Sequence, residues 1–275
     1  MKIALIIGHF GSVPGWYPLW KESALRNPSI EFHIFTDCQI LESVQNIHIH
    51  LCKLDIFSNH EFYGKTKPVF DTPYKITDFR PVFGEIFEAI LENYDYWGFG
   101  DLDVIYGDLQ SLLGSSFGKY DYISTGRDGK SGPLAFLANT SEVNRLWHDI
   151  DHVHERLCSK EFFAMDEIDF VDLLLSNVRC DLVFRECLDD LPARWQDGAL
   201  SGIRSGKPYA LHHFGGTLSH TRKQIVRDVS LLVEAMQQGK PLRIGHDAGI
   251  HVETPLNTAR DNTVFALRRM KRRLV

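Results

Sequence analysis

Two aspartates one residue apart, Asp101 and Asp103, lie in the stretch YDYWGFGDLDVIYGDL, directly after an aromatic and apolar segment. Residues 96–99 are predicted to form a short strand, so Asp101, Leu102 and Asp103 come at its C-terminal end. In open α/β sheets, ligands bind outside the carboxyl ends of the strands. Two interpretations stay open: a solvated strand end, or paired carboxylates that bind a hard divalent cation through oxygen.

A cation at this position would give the carboxylates a chemical function. Mn2+ or Mg2+ leaves room for phosphate oxygens and takes up the negative charge that develops on a diphosphate leaving group. His213, in the motif HHFGG, is a candidate third ligand, and its neighbour His212 must point to the opposite face of a strand. The glycines that follow, Gly215 first, permit close approach of the backbone to a phosphate.

Other polar residues are candidates that each have a structural alternative. Asp166 and Glu167 open an apolar helical pattern, where the helix dipole favours carboxylates; alternatively one of them is a base near an acceptor hydroxyl or binds a donor sugar. Asp78 is explained by capping a helix that has Pro81 in its first turn. Lys75 either reaches a phosphate or is solvated. Lys75, Asp78 and Leu102 are all counted among the residues that would contact the donor.

Arg80 has the same two interpretations as Lys75, a phosphate contact or a solvated side chain. Asp108, in YGDL, is interpreted as the cap of the helix that follows it.

The elements that must position these residues alternate along the chain. Strands are predicted over 2–7, 31–37, 46–51, 96–99, 120–125, 132–140 and 205–216, and helices over 17–26, 78–93, 141–157, 164–176 and 219–238. Residues 240–258 are predicted to be loop. This order indicates an α/β fold, with a main domain over 1–220 and a C-terminal helical extension with a basic tail over 221–275.

The composition argues against several classes of protein. The chain has 275 residues, of which 44% are hydrophobic, and a net charge of -6, which does not favour binding to nucleic acid. Five cysteines without a CxxC pair predict reduced thiols in a cytoplasmic protein. The motifs of dinucleotide oxidoreductases, P-loop ATPases, zincins and α/β-hydrolases are absent from the sequence.

The C-terminal tail, ARDNTVFALRRMKRR, places apolar residues at helical spacing between arginines and lysines. A basic amphipathic helix of this kind lies on anionic lipid, which would make the protein peripheral at the inner membrane. The alternative is a helix packed on the domain with a solvated basic side.

Three stretches together, FGSVPGWYPLWKESALRNPSIEFHIFTD, YKITDFRPVFGEIFEAIL and YDYWGFGDLDVIYGDL, resemble an uncharacterised bacterial family of glycosyltransferase-like proteins. That family is similar to GT-A-type, family-8-like glycosyltransferases that use nucleotide sugars, and the resemblance covers about residues 1–220. It implies a GT-A fold, a single mixed sheet flanked by helices. It also implies transfer of a hexose from a UDP-sugar donor to a glycan or glycolipid acceptor in surface polysaccharide synthesis.

The resemblance implies roles for single residues. Asp101 and Asp103 would bind the Mn2+ or Mg2+ that bridges the donor diphosphate, His213 would complete the metal site, and Asp166 or Glu167 would lie near the donor sugar. Further residues would border the donor: Ser131 and Gly132 at the sugar, and His9, Phe10, Gly11 and Asp37 at the base. The chain departs from the pattern after the histidine, where TLSHTRK replaces the usual lysine-proline-tryptophan.

Two other functions remain open on the sequence. Paired aspartates on an α/β sheet also occur in nucleotidyltransferases and metal-dependent phosphatases, which release pyrophosphate or phosphate and not a nucleoside diphosphate. A catalytically degenerate GT-A domain would bind a glycan or a partner without turnover, and it would tolerate loss of the aspartates.

Overall fold

A computed structural model of the chain describes residues 1–58, 60, 67–130, 133–214, 218–245 and 250–254. The chain forms two compact units, and each unit is assembled from separate chain segments. The first unit takes residues 1–13, 28–101 and 113–184, and the second takes 14–27, 102–112 and the chain from 185 onward. The predicted domain boundary at residue 220 follows chain order, whereas this division interleaves the two units along the chain.

The first unit is built on a mixed sheet of seven strands, which confirms the predicted mixed α/β architecture. With strands numbered in chain order, the sheet has the order β3-β2-β1-β4-β7-β6-β8. These strands are β1 (Ile3–His9), β2 (Ile30–Thr36), β3 (Ile47–Leu51), β4 (Tyr96–Gly100), β6 (Tyr122–Ser124), β7 (Leu134–Ala138) and β8 (Cys180–Asp181). Strand β7 is antiparallel to both of its neighbours, and the other pairings are parallel.

The centre of this sheet is covered on both faces. All five residues of β4 and of β7 are buried, as expected for strands with nearly continuous apolar sequence. Because β1, β2 and β4 are parallel, their carboxyl ends meet at one edge of the sheet. Residues 9–11 at the end of β1, Asp37 directly after β2 and Asp101 directly after β4 are therefore brought to the same edge.

The helices of the first unit are short. They are α2 (Phe83–Ile86), α3 (Glu88–Leu91), α5 (Ser141–Arg145), α6 (Val153–Cys158) and α7 (Asp169–Asn177), with 3₁₀-helices at Leu54–Phe57, Pro73–Val82, Arg127–Gly129 and Leu146–Asp149. The predicted continuous helix over 78–93 is wrong: a 3₁₀-helix precedes α2, and Phe87 separates α2 from α3. Pro81 lies inside the 3₁₀-helix, where its ring and missing N–H disfavour a regular α-helix.

The second unit contains a five-stranded sheet and a two-stranded sheet, neither of which the sequence predicts. Their orders are β11-β10-β9-β13-β14 and β12-β5. The strands are β5 (Val104–Tyr106), β9 (Ala193–Gln196), β10 (Ala199–Gly202), β11 (Pro208–Tyr209), β12 (Leu211–His213), β13 (Leu242–Ile244) and β14 (Ile250–Val252). The predicted loop over 240–258 is thus wrong at residues 242–244 and 250–252, since β13 and β14 pair with each other and β13 also pairs with β9.

Helices α1 (Tyr17–Leu25), α4 (Leu109–Leu113) and α8 (Leu218–Gln237) and a 3₁₀-helix at Cys187–Asp190 complete the elements. The second unit has its own hydrophobic core, to which α1 contributes Leu19, β9 contributes Trp195 and α8 contributes Met236. Polar contacts dock α1 on β5 as well, because Ser23 Oγ accepts a hydrogen bond of 3.1 Å from the Tyr106 N–H.

Among the described helices, none has the length and the apolar composition that crossing a bilayer requires. The basic tail predicted to contact lipid lies outside the described residues, so membrane contact stays a prediction.

A histidine stack lies on the outer strands of the first sheet. The ring of His33 on β2 stacks on those of His48 and His50 on β3, at centroid distances of 4.9 and 5.2 Å. His33 Nδ1 lies 2.9 Å from His50 Nε2, and its Nε2 lies 2.9 Å from the Tyr94 hydroxyl. Burial, followed by the charges of His50 and His48, lowers the pKa of His33 to about 3.

The first prediction concerns Gly98 on β4. A Cβ atom added there would lie 2.2 Å from the carbonyl oxygen of Ala135 on the paired strand β7, so the two backbones must separate. We expect Gly98→Ala to lower the free energy of unfolding by about 1–3 kcal/mol or more, measured by urea denaturation. An equally stable variant would show that β4 and β7 are not so closely paired.

The second prediction concerns the pH dependence of stability. The depressed pKa keeps His33 neutral in the folded state, while the unfolded chain takes up a proton below about pH 6.5. Stability should therefore fall as pH drops from about 6.5 towards 3, by up to about 1.4 kcal/mol per pH unit for this group. In urea titrations, His33→Gln should reduce this slope, and His152→Asn, at an exposed position, should leave it unchanged. A wild-type slope in His33→Gln would contradict the assignment.

Candidate functional site

The carboxylate of Asp101 lies directly after β4 and contacts a buried arginine. The Asp101 N–H donates to the carbonyl of Pro133 at 3.2 Å, and Arg80 Nη2 donates to Asp101 Oδ1. Arg80 Nη1 donates to Asp166 Oδ2 at 2.9 Å, so one guanidinium bridges the two carboxylates. The ring of Phe99 lies 5.3 Å below the guanidinium and fixes its plane.

Burial and charge act in opposite directions on this cluster. Burial alone would lower the pKa of Arg80, but Asp101 and Asp166 raise it above its ordinary value, so the side chain stays charged. Burial raises the pKa of Asp166 to about 6 against the opposing effect of Arg80, and the charges of Glu167 and Asp101 add to the rise. Asp166 is consequently ionised at neutral pH and is more basic than an ordinary carboxylate.

Asp166 and Glu167 lie in the loop before α7, which begins at Asp169, so the prediction that they occupy the first turn of a helix is wrong. This loop contains Ala164 in the left-handed region, with a φ of 52°. A non-glycine residue in this conformation costs energy and persists where the surrounding contacts fix it. Those contacts come from the neighbouring 3₁₀-helix.

Lys75 and Asp78 of the 3₁₀-helix supply these contacts. Lys75 Nζ donates to Asp78 Oδ2 at 2.8 Å and to the carbonyl oxygens of Arg156 and Glu161. The Asp78 carboxylate also accepts the backbone N–H groups of residues 163 and 165, at 3.1 and 3.2 Å. The capping interpretation of Asp78 is therefore wrong: it anchors a distant loop.

Both side chains are almost fully buried, with exposed fractions of 3% for Lys75 and 0% for Asp78. Their charges are directed at each other and at backbone groups. The structure gives them a role in holding the loop, and the donor contacts predicted for them do not enter the function proposed below.

In the second unit, Asp103 lies beside His213. His213 Nε2 is 3.5 Å from Asp103 Oδ1, and the N–H of Phe214 donates to the Asp103 carbonyl at 3.0 Å. The antiparallel pairing of β5 with β12, in which His213 faces Val104, brings these residues together. His212 is fully buried and His213 is partly exposed, which confirms that only His213 points to the side of Asp103.

Helix α1 and Asn27, two residues after its end, also hold β5 and the residues that follow it in place. Asn27 Nδ2 donates to the carbonyl of Gly107 at 3.0 Å, and the N–H of Leu109 donates to Asn27 Oδ1 at 2.9 Å. Gly107 has no room for a side chain, because an added Cβ would lie 2.2 Å from the carbonyl oxygen of Tyr209. The position of Asp103 thus depends on backbone pairing and not on its own side chain.

At the carboxyl ends of β1 and β2, two predicted donor-binding segments meet. The N–H of Gly11 donates to Asp37 Oδ1 at 2.8 Å, and Gly11 has a φ of 103°, which favours glycine. His9 Nε2 lies 3.0 Å from the carbonyl oxygen of Ser12, and Phe10 packs its ring edge-on to Phe57 at 6.0 Å. That these residues border a nucleotide base stays a prediction.

The remaining predicted residues divide into two groups. Asp108 caps α4 as predicted, since its Oδ1 accepts the N–H of Ser111 at 2.9 Å. Leu102, between the two aspartates, is buried. Gly215, Ser131 and Gly132 lie outside the described residues.

Sequence reasoning missed the bridging role of Arg80. A signal was present, since a cation near a cluster of carboxylates is more often paired than solvated, but the pairing partners lie 21 and 86 residues away in the chain. Local patterns do not identify partners at such separations.

Taken together, the described residues define a mixed α/β protein, in which Asp101 directly follows a central strand of the first unit and Asp103 lies beside His213 in the second unit. The chain belongs to a family of unknown function, DUF6625, whose model matches residues 5–227. None of the curated proteins matches the chain.

Several solved structures are similar to this one. They include the galactosyltransferase LgtC in complex with donor and acceptor sugar analogues, at 11% identity over 85% of this chain and 96% of that chain, with a TM-score of 0.45. Mouse xyloside xylosyltransferase 1 matches at 8% identity over 78% and 97%, with a TM-score of 0.46. A glycosyltransferase involved in glycosylation of the major capsid of PBCV-1 matches at 11% identity over 84% and 100%, with a TM-score of 0.45.

The third prediction tests the anchoring role of Asp78. Asp78→Asn leaves the Lys75 ammonium buried without its counter-ion, so we expect a loss of about 3–5 kcal/mol in the free energy of unfolding, measured by urea denaturation. The matched control is Asp71→Asn, which removes the exposed ion pair with Lys160 at 3.1 Å and should cost under about 1 kcal/mol. Equal losses in the two variants would show that the buried pair is not an anchor.

Proposed function

We propose that the protein is a metal-dependent glycosyltransferase. It moves a hexose from a UDP-sugar to a hydroxyl group of a glycan or glycolipid acceptor, in the synthesis of a bacterial surface polysaccharide or glycolipid. The observation that carries the proposal is the arrangement of Asp103 beside His213, at 3.5 Å, with Asp101 two positions earlier in the chain at the end of β4.

The donor set supports a divalent cation. Asp103 and His213 each offer a ligand atom to a metal ion, and Asp101 stands two positions before Asp103 in the chain. Two carboxylates and one imidazole suit Mn2+, and the carboxylates also suit Mg2+. Such an ion binds diphosphate oxygens and stabilises the charge of the leaving group.

The contact between Arg80 and Asp101 is compatible with metal ligation. Arg80 donates to Oδ1 of Asp101, and an ionised carboxylate has two oxygens with about four lone-pair positions in all. The guanidinium donates to both Asp101 and Asp166, so its positive charge offsets part of the repulsion between the two carboxylates.

The proposed reaction exchanges one bond to the anomeric carbon for another. The acceptor hydroxyl oxygen forms a bond to C1 of the donor sugar, the bond between C1 and the diphosphate oxygen breaks, and the nucleoside diphosphate leaves with the electron pair. The hydroxyl proton passes to a carboxylate, for which Asp166 and Glu167 are the candidates. The pKa of about 6 suits Asp166 to this role, whereas Glu167 is the more accessible of the two.

A second candidate function is binding of a glycan without turnover. The observation that favours it is the contact between Arg80 and Asp101, in which the protein supplies its own cation to a carboxylate of the proposed metal site. A nucleotidyltransferase is a third possibility, and the products distinguish the cases: glycosyl transfer releases a nucleoside diphosphate, nucleotidyl transfer releases pyrophosphate, and a binding protein releases neither.

The fourth prediction tests the donor site by thermal shift with UDP-, GDP-, CMP- and dTDP-sugars, each with and without Mn2+. A ligand that binds only the folded state at about 100 times its Kd should raise Tm by about 5–10 °C. We expect this rise for a UDP-hexose, only with the metal present. Asp103→Asn should abolish the rise, and the surface control Asp149→Asn should keep it.

Two outcomes would contradict the proposal. If no nucleotide sugar stabilises the wild-type protein with or without Mn2+, the chain is not a transferase of this kind. If Asp103→Asn responds like the wild type, the chain binds a donor but the metal site is assigned to the wrong residues.

A further inference from the structure

Two aromatic side chains of the first unit expose their rings side by side. Tyr74 is 64% exposed and Phe162 is 45% exposed, and their ring centroids lie 4.8 Å apart at an interplanar angle of 59°. Among the described residues, the other large hydrophobic side chains with comparable exposure are not aromatic. Apolar side chains that are exposed singly are common on protein surfaces, but two contacting rings form a contiguous apolar patch. A contiguous patch of this kind is typical of a binding site.

The two rings are held in place by the buried ion pair already described. Tyr74 is adjacent to Lys75 in the 3₁₀-helix, and Phe162 lies between the carbonyl of Glu161, which accepts from Lys75, and the N–H of Phe163, which donates to Asp78. Because the backbone on both sides of the pair is fixed, the rings form a preorganised surface that loses little conformational entropy when a ligand binds.

The 3₁₀-helix that carries Tyr74 also carries Arg80, and the segment before α7 that carries Phe162 also carries Asp166. Arg80 comes six positions after Tyr74, which corresponds to about 12 Å along a 3₁₀-helix. Burial and then the charge of Glu167 raise the pKa of Tyr74, Arg80 opposes the rise, and Asp101 and Asp166 add to it. Along the helix, Tyr74 and Arg80 are separated by about the length of a short oligosaccharide.

We propose that Tyr74 and Phe162 form a stacking platform for a pyranose ring of the acceptor glycan. The proposal rests on the glycosyltransferase function proposed above. One face of a pyranose such as β-galactose or β-glucose consists of C–H groups, whose partial positive charge is attracted to the negative face of an aromatic ring. The tyrosine hydroxyl and the nearby carboxylates can accept hydrogen bonds from the hydroxyl groups at the rim of the sugar.

The charged surroundings of the rings favour a sugar over a lipid surface. Lys160, two positions before Phe162, forms an exposed ion pair with Asp71, three positions before Tyr74, at 3.1 Å. The insertion of aromatic rings into a membrane would also desolvate this pair and bring carboxylates towards anionic headgroups. A sugar ring leaves the charges hydrated and occupies only the aromatic faces.

The fifth prediction is a binding experiment that needs no turnover. Saturation-transfer NMR with methyl β-D-galactopyranoside and methyl β-D-glucopyranoside should show transfer from the protein to the C–H face of at least one glycoside. Tyr74→Ala/Phe162→Ala should weaken this binding at least tenfold, Tyr74→Phe should retain it, and Ile40→Ala, at a position 81% exposed, should leave it unchanged. Circular dichroism would check that each variant is folded, which the exposure of the rings leads us to expect.

The outcomes separate this inference from the proposed function. Ring-dependent binding of a glycoside supports the platform even if no nucleotide sugar stabilises the protein. Donor binding with Mn2+, together with glycoside binding that is unchanged in the double alanine variant or absent in the wild type, overturns the platform and leaves the transferase proposal standing. Ring-dependent binding to anionic phospholipid vesicles without binding of either glycoside would also overturn it, because the rings would then be a lipid contact.

Discussion

A buried charge needs a counter-ion close to it, and the packing of the first unit around its proposed site depends on two such charges. Lys75 and Arg80 lie on one 3₁₀-helix, and each is neutralised by a carboxylate that belongs to, or holds, the loop before α7. If the helix and the loop moved apart, a charge would be left buried without its counter-ion. The free energy of this state is far higher than the cost of breaking a surface ion pair. The position of Asp166, Ala164 and the aromatic pair all depend on this constraint.

In the second unit, Asp103 is held in position by backbone pairing and not by an ion pair. Asp103 is fixed through the backbone of β5, which pairs with β12 and is bound by polar side chains of α1 and Asn27. Because the backbone holds Asp103 in place, its carboxylate is available for chemistry next to His213. Asp101, in contrast, both contacts Arg80 and stands at the end of β4. The two aspartates of one short motif are thus supported by different physical means.

The sequence was sufficient to predict those features of the structure that depend on local patterns. Continuous apolar runs located β1 and β4, alternation separated His212 from His213, and Asp108 proved to be a cap. It was insufficient where a partner lies far along the chain: Asp78 followed by Pro81 has the local pattern of a helix start, and only the loop 85 residues later reveals its role. Strand β13 was missed for the same reason, since it pairs with β9, on the far side of α8 in the chain.

The interleaving of the chain segments has a consequence for how the protein is made. Helix α1 leaves the ribosome before the whole of residues 28–184, yet core residues of its own unit, such as Trp195 and Met236, are synthesised after the last segment of the first unit. During translation the apolar face of α1 therefore lacks these native contacts, and transiently exposed apolar surface of this kind makes a chain prone to misassembly and dependent on chaperones. The order of the segments along the chain thus leaves α1 without these core contacts until residues 185 onward have been synthesised.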